Sequence, residues 1–120
     1  KIYQIREVQM TPIQKKYYET ILMQEMIRLE SLESITAQNV LVTILRLQQI
    51  TSGFLAPQDL DGNKLMNKPI EGPNPKLNEL MDIMDELGDS QVIIWTRFRF
   101  DVENIARELL AIIAKAEGRI

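Results

Sequence analysis

Gln91-Val92-Ile93-Ile94-Trp95-Thr96-Arg97-Phe98-Arg99-Phe100 decides the fold: a short apolar run, two arginines, then the periodic positions of an amphipathic helix. A strand apolar on consecutive positions has to be covered on both faces, which is the habit of a parallel sheet sandwiched between helices rather than of a half-solvated antiparallel one. The expected class is therefore α/β, with Val92 to Trp95 as a buried strand and a crossover helix from Val102 to about Ala114. Open α/β sheets bind ligands just beyond the carboxyl ends of their strands. That places Thr96, Arg97 and Arg99 where chemistry or anion binding gathers.

Toward the amino terminus, Asn74-Pro75 caps a helix from Lys76 to Leu87, with Leu77, Leu80, Met81 and Met84 in one stripe and Gly88 as its stop. Phe54 to Asn74 is rich in Pro, Gly, Asn and Asp, with Asp61-Gly62 as a tight turn between two short extended pieces, so it reads as a loop or small hairpin. Before it, a helix from Ala37 to Thr51 carries Val40, Leu41, Ile44, Leu45 and Leu47 and ends at Ser52-Gly53, where glycine suits a left-handed cap. Ser31 to Thr36 separates it from an earlier helix running to about Glu30, whose apolar face is Ile13, Tyr17, Ile21, Leu22, Met26 and Leu29. Thr11-Pro12-Ile13-Gln14 opens that helix as a capping box with proline at the first helical position. Ile2 to Met10 alternates loosely and reads as a strand. At the other end, Phe100 and Ile105 are spaced as a hydrophobic staple for the last helix. Glu117-Gly118-Arg119-Ile120 leaves room only to begin a second parallel strand. Because residue 1 is lysine and a strand starts at once, the chain is expected to be a piece of a larger protein.

At 120 residues the chain is one domain in size, 45% hydrophobic and globular in composition; a chain of this length buries roughly two-thirds of its unfolded surface. Seventeen acids against fourteen bases give a net charge of −3, which is no basic DNA-gripping surface. With neither cysteine nor histidine, disulfides, thiolate metal sites, zinc chemistry and Ser-His-Asp hydrolysis are excluded. The sequence has no run of membrane-spanning length and no hydrophobic signal block at its amino terminus, so the expected setting is cytosolic or nucleoid.

Several local signals have bland readings. Asp85-Glu86 closes a helix, whereas the magnesium-binding acids of an ATPase follow an apolar strand. Asp59-Leu60-Asp61-Gly62-Asn63 resembles the start of a calcium loop, but its glycine is misplaced and Ile70 stands where a bidentate acid belongs. No Gly-x-x-x-x-Gly-Lys-[Ser/Thr] and no Gly-x-Gly-x-x-Gly occurs, so the chain alone lacks a triphosphate cradle. Met23, Met26, Met66, Met81 and Met84 read mainly as core filling rather than as an adaptable groove. Of the adjacent Tyr17 and Tyr18 only one can face inward. Arg97 and Arg99 carry planar forks suited to phosphate, or pair locally with Asp101 and Glu103.

Three segments in order resemble one family. Val8-Gln9-Met10-Thr11-Pro12-Ile13-Gln14-Lys15-Lys16-Tyr17-Tyr18 is similar to the strand-then-helix "mt..Q...Y" signature of Swi/Snf-type helicase-like ATPases. Leu45-Arg46-Leu47-Gln48-Gln49-Ile50-Thr51-Ser52-Gly53-Phe54 resembles their "LrqI..gf" stretch. Asn74-Pro75-Lys76-Leu77, followed by Gln91-Val92-Ile93-Ile94-Trp95-Thr96-Arg97-Phe98, resembles the "pKl..L" and motif IV block that opens the second RecA-like lobe.

The resemblance implies a motor of superfamily two, of phage or bacterial type, that hydrolyses ATP with magnesium between two RecA-like lobes and translocates on double-stranded DNA. The chain would be the beginning of lobe two: a partial RecA-like parallel sheet flanked by helices, with a helical hairpin insertion. Residues 1–53 would be a strand plus the hairpin, 54–74 the loop or small hairpin, and 75–120 the start of the α/β core. The phosphate loop and magnesium acids would lie in lobe one, so the fragment would hold no cofactor and no catalytic residue of its own. Thr96, Arg97 and Phe98 map onto motif IV as candidate contacts to the DNA backbone. Implied partners are double-stranded DNA, lobe one of the same protein, and a second fragment paired through an exposed sheet edge; no membrane is implied. Two other classes compete: a stand-alone helical protein-interaction module built on Ile13 to Leu47, binding neither nucleotide nor DNA, and a free-standing nucleotide-binding domain, which the missing glycine loop disfavours.

Overall fold

Thr11 and Gln14 start the first helix by bonding each other: the Gln14 amide donates to Thr11 Oγ1 at 3.2 Å and the Thr11 amide donates to Gln14 Oε1 at 2.9 Å. This is the reciprocal capping box, two otherwise orphaned amides satisfied at once. The computed structural model describes residues 2–31, 37–57, 61 and 63–118. Its elements are α1 (Pro12–Glu30), α2 (Ala37–Ser52), β1 (Phe54–Leu55), β2 (Lys68–Pro69), α3 (Pro75–Leu87) and α4 (Arg99–Ala116). They fall into two compact units, Lys1–Glu79 and Leu80–Ile120.

In the first unit α1 and α2 form an antiparallel hairpin, joined near one end by Gln14 Nε2 donating to the Ile50 carbonyl at 3.0 Å and farther along by Thr43 Oγ1 donating to Glu25 Oε2 at 3.1 Å. Gly53, at φ 97°, turns the chain out of α2. The chain then enters β1, which pairs antiparallel with β2 in the register Phe54↔Pro69 and Leu55↔Lys68. The small core is Ile50, Phe54 and Ile70, with Gln14 and Ser52 buried beside them.

The inward face of α1 differs from the one its apolar residues predict. Gln14, Tyr18, Ile21, Glu25 and Arg28 are buried or half-buried at helical spacing, while Ile13, Tyr17, Leu22, Met23, Met26 and Ile27 are exposed. Hydrogen-bonding partners on α2, not apolar content, orient the helix. Met66 is exposed as well, and Met81 and Met84 are only half-buried, so none of these methionines joins the core. The same happens on α2, where Val40, Leu41, Ile44 and Leu45 are exposed and Leu47 is half-buried.

The expected strand at Ile2 to Met10 does not form. The segment is irregular and mostly exposed, and among the described residues no neighbouring strand takes its backbone hydrogen bonds. It is held by Arg6 Nη1 bonded to Glu79 Oε1 at 3.0 Å.

The fold is thus a small mixed α/β arrangement of four helices and a two-stranded antiparallel sheet. The parallel sheet expected around Val92 to Trp95 is not present among the described residues. That segment is neither helical nor paired, and Ile93 and Trp95 are 80% and 90% exposed. A strand apolar on both sides becomes buried only when other strands flank its edges and helices lie on both faces, and the second unit contributes two helices with no buried residue.

Among the described residues no helix is long and apolar enough to cross a membrane. The Ser31 to Thr36 interruption from residue 32 on, the Asp61-Gly62 turn at Gly62, the calcium-like Asp59 and Leu60, the side chain of Leu29 and the final Arg119-Ile120 lie outside the described residues.

Candidate functional site

The arginines that follow the apolar run sit where an extended segment enters α4. Phe98 is the N-cap residue, with φ −115° and ψ 143°, and its carbonyl accepts from the Asp101 and Val102 amides at 3.1 and 3.3 Å. The helix therefore begins at Arg99, three residues before the expected Val102. Asp101 falls in its first turn, where a carboxylate suits the partial positive charge of the helix end. With this start Phe100 lies inside the helix, so the expected staple to Ile105 has the wrong spacing.

Thr96, Arg97 and Arg99 are exposed and Phe98 is half-buried. The Arg97 guanidinium lies 6.0 Å from the centre of the Phe98 ring, at the outer reach of a cation–π contact. Among the described residues neither arginine forms an ion pair, so the expected pairing with Asp101 or Glu103 is not made. Two unpaired guanidinium forks are thus offered to solvent two positions apart. Such a pair can bond phosphate oxygens, fixing position along a nucleic-acid backbone without reading bases.

A second constellation, in the first unit, was only partly visible in the sequence. The Ile50 carbonyl accepts from both Gln14 Nε2 and the Gly53 amide, each at 3.0 Å. Asn74 caps α3 by accepting from the Leu77 amide at 3.3 Å, and its Nδ2 donates to the Ser52 carbonyl at 3.0 Å. The Ile70 amide donates to the Gly53 carbonyl at 2.9 Å, and Lys76 Nζ reaches Thr51 Oγ1 at 3.3 Å. Thr11-Gln14, Ile50-Phe54 and Asn74-Lys76 therefore meet at one corner. Sequence reasoning placed Gln14 and Asn74 as caps and missed that each also bonds the end of α2; polar residues at caps give no hint of a distant partner.

A cleft of about 300 Å³ opens beside this corner, bordered by Gln9, Tyr18, Thr51 and Lys76 among others. Its lysine is already bonded to Thr51. Of the adjacent pair Tyr17 and Tyr18, Tyr18 is half-buried and Tyr17 is exposed. Among the described residues no group of three or more carboxylates is placed to hold a metal ion. No family model, no curated protein and no solved structure matches the chain.

Proposed function

We propose that the chain is a fragment of an ATP-dependent, double-stranded-DNA translocating protein of Swi/Snf type, from the beginning of its second RecA-like lobe and not catalytically competent alone. The observation that carries this reading is the meeting of the resembling segments: the "Q" of the first, Gln14, bonds the "I" of the second, Ile50, and the opening of the third, Asn74, bonds Ser52 beside it. The first two resembling segments and the opening of the third are thereby joined at one corner. In the complete lobe, further strands and helices would cover Ile93 and Trp95, a covering that the described residues do not supply. ATP and magnesium would be held by lobe one, and Thr96, Arg97 and Phe98 would touch the DNA backbone.

The test uses the full chain and its single tryptophan, Trp95, which adjoins the candidate contacts. Titration with a random-sequence duplex at low salt is expected to change its emission, with weak, salt-sensitive affinity that Arg97→Ala lowers while reducing the salt slope by about one. No ATP hydrolysis is expected with or without DNA. An unchanged emission and anisotropy at low salt would overturn the DNA contact, and DNA-stimulated hydrolysis by the chain alone would overturn its status as a fragment.

The outward apolar residues of α1 and α2 favour a second reading, a helical module that binds another protein and neither nucleotide nor DNA. Ending the chain at Gly53 cannot isolate that module, because Phe54 and Ile70 complete its core. A chain ending at Glu79 is the appropriate probe; retained partner binding by that piece, with no DNA binding by the whole chain, would favour the module.

A further inference from the structure

Residues 91–96 belong to no helix or strand, and residue 97 is a bend ahead of α4. Ile93 and Trp95 are 80% and 90% exposed, whereas Val92, at 38%, is less so and Ile94 is half-buried. Among the described residues none of the backbone groups of 91–97 has a backbone partner: the hydrogen bonds stop at Ser90, which donates to Leu87, and resume at the Phe98 carbonyl. The segment also lacks the usual protections of an open edge, having no proline and no charge from Gln91 to Thr96.

We propose that this segment pairs antiparallel with the same segment of a second copy of the chain. The charges at its ends select that occupant and direction. Asp89 precedes the apolar run, and Arg97 and Arg99 follow it. Antiparallel pairing brings the acid of each copy to the arginines of the other, while parallel pairing sets like charge against like.

Symmetry then narrows the register, and the extent of the unpaired segment selects it. Two identical strands paired antiparallel are related by a two-fold axis normal to the sheet, so facing residues lie on the same side of their strands and one residue faces its own copy. Centring the axis on Ile94 pairs all of 91–97: Ile93 faces Trp95, Val92 faces Thr96 and Gln91 faces Arg97. The most exposed apolar residues thereby become aromatic–aliphatic cross-strand neighbours, a stabilising combination. This pairing concerns the chain by itself: it occupies the segment that the proposed function would cover with further strands, so a complete lobe would displace it.

Sedimentation velocity on the full chain over a wide concentration range is expected to show a monomer–dimer equilibrium. Ile93→Lys, at an exposed position, should leave helicity unchanged and weaken the dimer by about tenfold or more, because the lost cross-strand pair counts twice across the axis. The chain has no cysteine of its own, so single cysteines report the register. A mixture of Ile93→Cys and Trp95→Cys chains should form disulfide-linked heterodimers faster than either variant links to itself. A monomer at every concentration, self-linking at 93 and 95 as fast as mixed linking, or an Ile93→Lys dimer of undiminished affinity would each overturn the proposal.

Discussion

Replacing Gln14 should destabilise the first unit by more than its amino-terminal position suggests, because one amide serves two helices. Its side chain is 1% exposed, its oxygen caps α1 through the Thr11 amide and its nitrogen holds the Ile50 carbonyl. Gln14→Ala removes a capping interaction of about 1 kcal/mol and a buried hydrogen bond of about 1 kcal/mol, and leaves a space where buried methylene is lost at about 0.8 kcal/mol per CH₂. The Ile50 carbonyl keeps its bond from Gly53, which limits the loss. The sum is about 2–3 kcal/mol, or a urea midpoint lower by about 0.7–3 M for an m-value of about 1–3 kcal/mol/M.

Gln14→Glu separates the two roles. It keeps the acceptor for Thr11 but sets a buried carboxylate against the Ile50 carbonyl oxygen, which raises the folded-state pKa of the new acid above its unfolded value. A raised acid pKa stabilises the fold below the unfolded pKa and loses that stability as pH rises through the folded pKa. The deficit of Gln14→Glu against the natural chain should therefore shrink as pH is lowered, while that of Gln14→Ala stays flat. Urea unfolding followed by far-ultraviolet circular dichroism measures both. A Gln14→Ala variant within about 0.5 kcal/mol of the natural chain, the range of an ordinary surface change, would refute the reasoning.

Gly53→Ala should be more damaging than Gly88→Ala in the same unfolding assay. Both glycines have positive φ, but a β-carbon at 53 would meet Asn74 Nδ2 at 2.7 Å and break the link to Ser52, whereas nothing lies within 4 Å at 88; a difference of about 1 kcal/mol or more is expected, since strain is common to both and only one adds a clash and a lost hydrogen bond. Glu79→Ala, which breaks the ion pair with Arg6, should cost at most about 1 kcal/mol, less in high salt, because both side chains are about a third exposed; a larger, salt-independent loss would mean that the amino-terminal segment is anchored by more than charge.

The helices were legible in the sequence because their punctuation is local. Thr11-Pro12, Asn74-Pro75, Gly53 and Gly88 act through neighbours three or four positions away, and each element they bound lies within a residue or two of expectation. The last helix was placed late because Phe98 caps with its backbone alone, without a side-chain bond, which leaves no residue-type signature. Strands were not legible in the same way. Ile2 to Met10 and Val92 to Trp95 have strand composition, but a ladder requires partners that composition does not name, and the real strands, Phe54-Leu55 and Lys68-Pro69, are too short to display a period. At the candidate site the exposure of Arg97 and Arg99 could be read only from coordinates, since an adjacent acid in sequence says nothing about whether an arginine turns toward it.

The polar seam of the helical hairpin has one more consequence. Gln14 with Ile50 and Glu25 with Thr43 work like two pins at separate points along one rail. Sliding either helix by a turn, about 5.4 Å, would unseat both pins together, whereas a seam of leucines would accept the shifted position at little loss. Greasing this contact with apolar residues is therefore expected to create hairpins of mixed alignment before it weakens them, and the hydrogen bonds act mainly to keep the hairpin in a single alignment.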